Sequence, residues 1–213
     1  MERTFFIKLF EFKRISRRIF KCFRFKLFWC EAFDTSLFLW KYEPKKIWYR
    51  GNPSKKNVLP TGFYRYGIKI RNECIHNKIK VYNWNVAYHV TKIELVKSIV
   101  EHGRIMFPGD LVNNGKHLPV RNGNSFGEGK PSIYLTPSIK YACNDLYSVS
   151  QNYNKRKVKV IIQCSIRPGS FKKYKETVNA KDIIDENFSN NEIEWVTQDK
   201  EAVVLYGLLI GFF

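Results

Sequence analysis

The most constraining stretch of this sequence begins at Trp84 and ends at Gly103, where a strand pattern passes directly into a helix pattern. Large apolar residues occupy every second position between Trp84 and His89, the period of a strand with one buried face. Thr91 and Glu94 then have the spacing of a capping box, and apolar residues recur at helical spacing until Gly103. We therefore expect His89 at a sheet edge beside a helix N-terminus, a setting that suits phosphate-bearing ligands.

The segments after this helix predict short strands separated by loops. Strand patterns occur at 133–135, 158–164, 194–197 and 202–213. Thr136 as cap and Pro137 in the first turn predict a second helix, whose apolar face reaches Leu146. Residues 106–130, rich in glycine, proline and asparagine, predict a long loop, and the polar residues 170–191 predict another. Short strands with few helices favour an α+β fold with a split, strongly bent antiparallel sheet.

The N-terminal quarter of the chain differs from the rest in composition. Residues 1–50 carry 13 Lys/Arg against 5 Asp/Glu, in a chain of net charge +18 and pI near 9.7. Phenylalanines are mixed with lysines and arginines between residues 5 and 29, which predicts a basic amphipathic helix. Such a helix contacts an anionic membrane, acts as an organelle-targeting segment, or docks on the core by its aromatic face.

Turn-forming residues mark the end of this basic region. Gly-Asn-Pro at 51–53 predicts a turn, and the lysine-rich residues 53–56 are expected to form an exposed loop. We therefore divide the chain into a basic aromatic segment, residues 1–48, and one domain, residues 49–213. The hydrophobic content of 44% is sufficient for that domain to form a real core.

The cysteine and hydropathy patterns restrict the class of protein further. The five cysteines are odd in number and show no C-x-x-C spacing, which is typical of reduced thiols in a protein of the cytoplasm or nucleus. No histidine has ligand spacing to them, so no metal site is expected. No run of eighteen apolar residues predicts a transmembrane span. The positive charge favours polyanionic partners, with anionic membrane contact as an option for residues 1–48.

Three motifs carry a family resemblance. Residues 88–91, Tyr-His-Val-Thr, match a His-Gly-Ser/Thr motif in all but the glycine. Phe-Gly-Glu-Gly at 126–129 and Ile-Tyr-Leu-Thr at 133–136 match a Phe-Gly-Lys-Gly-Ile-Tyr-Phe segment with three residues inserted. Glu-Trp-Val at 194–196 and the aliphatic run at 203–210 match a final Glu-Tyr-Val/Ile strand start. In this order, the motifs resemble those of the poly(ADP-ribose) polymerase and diphtheria-toxin-like ADP-ribosyltransferases.

The resemblance covers residues 84–213 and implies a fold in which NAD binds in a cleft between two half-sheets. It implies a catalytic triad of His89, Tyr134 and Glu194. His89 would hydrogen-bond the adenosine ribose, and Tyr134 would stack on the nicotinamide. Glu194 would bond a hydroxyl of the nicotinamide ribose and stabilise the oxocarbenium-like charge that develops as nicotinamide leaves.

The resemblance implies three further contacts with NAD. Tyr147, on the helix after the Tyr134 strand, would supply a second stacking face. Val90 and Thr91 complete the first motif and would line the nicotinamide pocket. Val90 replaces a glycine whose backbone bonds the nicotinamide amide in the family, so its β-branched side chain is expected to affect activity.

The expected function is NAD-dependent transfer of a single ADP-ribose unit to a protein or nucleic-acid acceptor, with NAD as substrate and no metal. Glu192 and Glu201 are alternatives to Glu194 as the carboxylate. A second hypothesis is a catalytically inactive protein that binds NAD, ADP-ribose or a partner. A third is a basic nucleic-acid or membrane adaptor that acts through residues 1–50. NAD-dependent removal of a 2′-phosphate from RNA shares the fold, but its arginine pattern is not seen in the sequence.

Overall fold

The computed structural model of the protein describes nine ranges of the chain. The described residues are 40–41, 47–69, 83–107, 109–111, 115, 117–118, 130–148, 150–153 and 156–213. The helix predicted between residues 5 and 29, and the Phe-Gly-Glu-Gly motif at 126–129, lie outside these ranges. Most of the long loop predicted at 106–130 also lies outside them.

The described residues form antiparallel strands with few helices, an α+β class that confirms the coarse prediction. The strands are β1 (Trp40–Lys41), β2 (Ile47–Arg50), β3 (Lys55–Val58), β4 (Tyr64–Gly67), β5 (Asn85–His89), β6 (Ile133–Leu135), β7 (Gln151–Tyr153), β8 (Arg156–Ile166), β9 (Lys172–Tyr174), β10 (Glu194–Thr197) and β11 (Val203–Phe212). The α-helices are α1 (Ile93–His102) and α2 (Ile139–Ala142), and a 3₁₀-helix spans Lys200–Ala202.

The largest sheet is built around its two long strands, β8 and β11. Its order is β1-β4-β11-β8-β5, and β7 pairs with the start of β8. The register between β8 and β11 shifts at a bulge between Leu205 and Gly207. A Cβ atom at Gly207 would lie 2.8 Å from Gln163 Oε1 and 2.9 Å from Arg65 Nε, so a side chain here would displace these two hydrogen-bonded groups. The strand runs without interruption through Gly207 and Gly211.

A three-stranded sheet of order β6-β10-β9 adjoins the large sheet at one point. Tyr88 of β5 and Thr136, just after β6, form an isolated antiparallel bridge. The Tyr88 N–H donates to the Thr136 carbonyl at 2.8 Å, and the Thr136 N–H donates to the Tyr88 carbonyl at 3.0 Å. This bridge places the end of β5 beside β6, so the two sheets meet at the strand that carries His89.

Apolar side chains bury both faces of the large sheet. The main core lies on the side of α1, and its fully or nearly fully buried members include Ala87, Val96, Ile99, Val100, Ile105, Ile133, Leu135, Ile162, Cys164, Trp195, Leu205 and Leu208. The second core, on the opposite face, comprises Phe63, Val86, Tyr88, Ile139, Ala142, Ile161 and Leu209. Alternate residues of β8 enter the main core, namely Val158, Val160, Ile162, Cys164 and Ile166, and Ile161 enters the second core. The other buried positions of this strand, Lys159, Gln163 and Ser165, are polar.

The helix α1 confirms most of its prediction but begins differently. Its apolar positions pack into the main core, and Gly103 ends it in the left-handed conformation at φ 67°. The predicted cap at Thr91 is wrong, because the N-cap is Lys92, whose side chain makes no capping hydrogen bond. The backbone stays extended for one residue beyond Thr91, so the Thr91 hydroxyl is not at the capping position.

The second helix is shorter than predicted, and its cap lies two residues later. The Ser138 hydroxyl caps α2 by accepting a bond from the Tyr141 N–H at 3.1 Å. Thr136 instead accepts from the Ser138 N–H at 3.1 Å, which stabilises the turn before the helix. Since α2 ends at Ala142, Leu146 does not lie on its apolar face and is 73% exposed.

Two regions predicted as loops contain strands. Residues 55–58 form β3, which pairs with β2 in a hairpin around the predicted turn at 51–53. Residues 172–174 form β9 within the polar segment. The boundary predicted near residue 48 falls inside β2, and Trp40–Lys41 pairs with β4. Within the described ranges, no helix is long and apolar enough to cross a bilayer.

We predict that Leu205→Ala lowers the free energy of unfolding by about 2–5 kcal/mol, because Leu205 is 2% exposed and its removal leaves a cavity in the main core. Leu146→Ala removes the same atoms from a side chain that is 73% exposed and should change stability by less than about 0.5 kcal/mol. Urea unfolding of both variants measures the difference. Equal losses in the two variants would contradict the described packing.

Candidate active site

His89 is the last residue of β5 and is oriented by the neighbouring strand. Its Nδ1 lies 3.0 Å from the carbonyl oxygen of Tyr134. Because a carbonyl only accepts, Nδ1 carries the proton and donates, which leaves Nε2 as an acceptor in the neutral ring. Burial lowers the pKa of His89, and the bond to Tyr134 only partly opposes this effect. The site therefore presents a neutral imidazole with a fixed tautomer at neutral pH.

A small cavity lies against His89 on the side of α1. Its volume is about 50 Å³, and it is lined by His89, Thr91, Leu95, Ser98, Ile99, Ile105, Met106 and Leu118. The Ser98 hydroxyl oxygen is buried and has no hydrogen-bond partner among the described residues. Thr91, predicted as part of the first motif, thus lies beside His89 at this cavity.

Tyr134 is the central residue of β6 and points away from the main core. Its neighbours Ile133 and Leu135 are both 2% exposed and belong to that core, so alternation directs the Tyr134 ring to the opposite face. The Tyr134 hydroxyl is buried and has no partner among the described residues. Leaving such a group unsatisfied costs about 1–3 kcal/mol. A polar ligand that reached this hydroxyl would recover that free energy.

Glu194 begins β10 and is 6% exposed. Its Oε2 accepts a hydrogen bond from the Tyr141 hydroxyl at 2.8 Å and another from the Thr177 hydroxyl at 2.9 Å. Both donors reach the same oxygen, and within the described part of the chain no donor contacts Oε1. One carboxylate oxygen therefore orients the group, and the second is available to a ligand.

The donors to Glu194 belong to a network of hydroxyl groups. The Thr177 N–H donates to the Tyr141 hydroxyl at 3.0 Å, and the Tyr147 hydroxyl lies 3.0 Å from that of Tyr141. The Tyr147 hydroxyl also hydrogen-bonds that of Thr177. The rings of Tyr141 and Tyr147 meet edge to face, with centroids 5.4 Å apart. The network thus joins residues from α2, the turn after it and the segment after β9.

Burial raises the pKa of Glu194, because the ionised carboxylate loses hydration. The hydrogen bonds from Tyr141 and Thr177 favour the ionised form and offset part of this effect, whereas the negative charge of Glu176 raises the pKa further. Glu176 is itself buried, with Oε2 bound to the Val178 N–H at 2.7 Å. Burial also raises the pKa of Tyr141, so its hydroxyl stays protonated and donates.

Tyr134 connects the two parts of the site. It is paired with Val196 across the β6–β10 ladder, and Glu194 lies two residues before Val196 on the same face. Tyr134 and Glu194 are therefore diagonal neighbours, a Cα separation of about 7–8 Å in antiparallel pairs. His89 hydrogen-bonds the Tyr134 backbone carbonyl, and no described hydrogen bond links His89 directly to Glu194.

The three candidate carboxylates differ in their surroundings. Glu192 is exposed and forms an ion pair with Lys173. Glu201 lies in the 3₁₀-helix and is also exposed. Only Glu194 among these three is buried on a strand and bound by hydroxyl donors. The three carboxylates therefore differ in burial and in hydrogen bonding.

Two predicted ligand contacts lie in unexpected surroundings. Tyr147 was predicted on a helix, but α2 ends at Ala142, and Tyr147 lies in the following turn with 36% of its surface exposed. Val90 packs partly buried against the second core rather than lining the cavity beside His89. Among the described non-glycine residues, only Asn179 has a positive φ, so Val90 has ordinary backbone geometry.

The sequence did not identify Tyr141, Thr177 or Ser98 as site residues. Tyr141 is 53 residues from Glu194, and Thr177 lies in a polar segment without a motif. The only sequence signal for Tyr141 was its position in the predicted helix, seven residues after Tyr134.

The described residues contain no group of three or more His, Cys, Asp or Glu side chains that could hold a metal ion. Compared with models of known protein families, the chain matches none.

We predict that Glu194→Gln gains stability relative to the wild-type protein as the pH rises. Folding raises the pKa of Glu194 above its ordinary value of 4.5, so this group binds more protons in the folded state than in the unfolded state. Its contribution to the free energy of unfolding therefore falls as the pH rises from about 4.5 through the raised pKa of the folded state. Glutamine keeps the acceptor oxygen but has no such dependence. The measurement is the difference in unfolding free energy between the two proteins from about pH 4 to pH 8. A difference that stays constant over this range would contradict the raised pKa.

Proposed function

We propose that this protein is an NAD-dependent ADP-ribosyltransferase of the His-Tyr-Glu type, which transfers a single ADP-ribose unit to a protein or nucleic-acid acceptor. The proposal includes an ADP-ribosyltransferase-like fold, with NAD bound where the two sheets meet. It is supported by the positions of His89, Tyr134 and Glu194, which lie on three successive neighbours in space, β5, β6 and β10. The order of these residues in the chain is that of the family motifs.

The observation that carries the proposal is the environment of Glu194. A buried carboxylate with one oxygen held by two hydroxyl groups and one oxygen without a donor is oriented before any ligand binds. Such a group stabilises positive charge that develops close to it, and low solvent access strengthens the interaction. NAD supplies the ADP-ribosyl group and loses nicotinamide, a reaction in which positive charge develops at the ribose.

Two further groups suit a ligand that carries hydroxyls and a flat ring. The neutral His89 ring offers Nε2 as an acceptor, as a ribose hydroxyl requires. The Tyr134 hydroxyl is buried without a partner, and its ring lies on the face of Glu194. Tyr147, half-exposed and held by the hydroxyl network, offers a second aromatic face. In this assignment His89 and Tyr134 bind and orient, and Glu194 stabilises charge.

A second candidate function is binding without catalysis, and Val90 favours it. In the resembling family this position is a glycine, whose backbone lies against the nicotinamide amide. Val90 has a branched side chain packed against the second core, so the backbone there is fixed by apolar contacts. A protein with this site could hold NAD or ADP-ribose and leave the glycosidic bond intact.

We predict that the full-length protein releases nicotinamide from NAD and that Glu194→Gln lowers the rate by about 10²–10³-fold, because the charge is removed while the shape is kept. Glu192→Gln and Glu201→Gln remove the same charge from exposed positions and should retain the wild-type rate within about twofold. Release is measured by chromatography of nicotinamide.

Three results would contradict this prediction. Equal release by wild type and Glu194→Gln would remove the assignment of the carboxylate. No release, together with a melting temperature that rises with NAD or ADP-ribose, would establish the binding function instead. Loss of activity in Glu192→Gln or Glu201→Gln, with Glu194→Gln active, would transfer the role to that residue.

We further predict that Tyr141→Phe shifts the acidic limb of the activity profile to higher pH. Activity requires ionised Glu194, and the Tyr141 hydroxyl favours the ionised form by donating to Oε2. Tyr147→Phe is the matched control, because the Tyr147 hydroxyl contacts Tyr141 and Thr177 rather than Glu194. The measurement is kcat/KM for nicotinamide release against pH. Limbs that coincide in wild type and Tyr141→Phe would contradict this role.

A further inference from the structure

The hairpin of β2 and β3 concentrates the exposed apolar surface of the described residues. Ile47, Trp48 and Tyr49 are consecutive and are 50%, 55% and 68% exposed. Five other large apolar residues in the described ranges are exposed, and none of them is adjacent to another except Leu146 and Tyr147. Two neighbouring aromatic side chains with half or more of their surface in solvent are accessible to a partner.

Positive charge accompanies these aromatic side chains. The chain between Glu43 and Glu73 contains eight Lys/Arg and no acidic residue. On the hairpin, Lys56 is directly opposite Tyr49, and Lys55 is opposite Arg50. Lys55 and Lys56 have no carboxylate partner within the described part of the chain. The hairpin therefore combines exposed rings with positive charges that no described acid neutralises.

The hairpin is attached to the strand that ends in His89. The Tyr88 hydroxyl donates to the Val58 carbonyl at 3.1 Å, and the Asn85 side-chain amide donates to the Arg50 carbonyl at 2.7 Å. The Arg50 guanidinium bonds the Ser165 hydroxyl at 3.3 Å and lies 5.7 Å from the centre of the Tyr206 ring. These contacts hold the hairpin in a fixed position, so its rings and charges are presented by an ordered element.

Successive side chains of β2 project from opposite faces of the hairpin, and this favours a nucleic acid over a membrane as the partner. Trp48 and Tyr49 are consecutive, so they project from opposite faces of the hairpin. Lys56 is opposite Tyr49, whereas Asn57 is opposite Trp48 and Lys55 is the diagonal neighbour of Trp48 on the same face. A flat bilayer surface can accept only one of the two faces. A flexible single strand can pass around the hairpin, stack unpaired bases on both rings and place phosphates at the lysines.

We infer that the β2–β3 hairpin binds single-stranded nucleic acid, with Trp48 and Tyr49 stacking on bases and Lys55 and Lys56 contacting phosphates. This surface acts independently of ADP-ribosyl transfer, because it requires neither NAD nor Glu194. Its specificity is for unpaired bases, since a duplex hides the base faces that the two rings require.

The test is fluorescence anisotropy of the full-length protein with labelled oligouridylate of about 12 nucleotides, without NAD. Trp48→Ala/Tyr49→Ala should raise the Kd by about tenfold or more and leave its salt dependence unchanged. Trp48→Phe/Tyr49→Phe keeps both rings and should restore binding. Leu146→Ala/Ile183→Ala removes exposed apolar side chains elsewhere and should bind like wild type.

A salt titration tests the phosphate contacts. The slope of log K, the association constant, against log[salt] is negative. Lys55→Ala/Lys56→Ala should make it less steep by about 1.4, or about 0.7 for each lost phosphate contact. Lys175→Ala/Lys181→Ala removes two exposed lysines at a different site and should leave the slope closer to the wild-type value. Glu194→Gln should bind the oligonucleotide like wild type, which separates this inference from the proposed transferase activity.

Three outcomes would overturn the inference. The first is that Trp48→Ala/Tyr49→Ala leaves the Kd for the oligonucleotide unchanged. The second is that this variant raises the Kd for duplex and for single strand by the same factor. The third is that the wild-type protein does not bind the oligonucleotide. Loss of binding to vesicles of phosphatidylcholine and phosphatidylserine in the same variant, with oligonucleotide binding retained, would assign the hairpin to a membrane instead. A matched oligodeoxythymidylate distinguishes RNA from DNA as the preferred strand.

Discussion

The antiparallel ladder between β8 and β11 positions every other element of the large sheet. It extends from the pair Val203 and Ile166 to the pair Phe212 and Val158, and both faces are covered by apolar side chains. β4 pairs with the free edge of β11, and β5 pairs with that of β8. Because β5 then meets β6 through the Tyr88–Thr136 bridge, the position of His89 relative to Tyr134 follows from this ladder. A change in the register of β8 would move both parts of the candidate site.

Among the described residues, the groups that hydrogen-bond the Glu194 carboxylate are neutral donors and not cations. Glu194 is bound by the hydroxyls of Tyr141 and Thr177, and these two bonds do not outweigh burial and the charge of Glu176. A lysine or arginine in their place would lower the pKa of the carboxyl, but it would also neutralise the charge that acts on a ligand. Hydroxyl donors orient the carboxylate and leave its charge unpaired.

Patterns that report burial predicted the elements that form the cores. The strands β5, β8, β10 and β11 and the apolar face of α1 were found because their side chains alternate or repeat with the period of the element. The caps at Thr91 and Thr136 were wrong, since the residue that caps a helix depends on where the backbone turns. The β2–β3 hairpin was missed because its apolar residues are exposed, and an exposed strand has no buried face to produce alternation. The partners of Glu194 were missed because they are 17 and 53 residues away in sequence and meet it only through the fold.

The raised pKa of Glu194 couples ligand binding to proton release. A ligand that interacts with the ionised carboxylate binds that form in preference, so the fraction of molecules with a protonated Glu194 must lose a proton on binding. The affinity of the site then varies with pH even for a ligand that has no titratable group in the same range. The buried carboxylate therefore releases a proton to solvent in the fraction of molecules that hold it protonated before such a ligand binds, and the heat of binding includes the ionisation enthalpy of the buffer in that proportion.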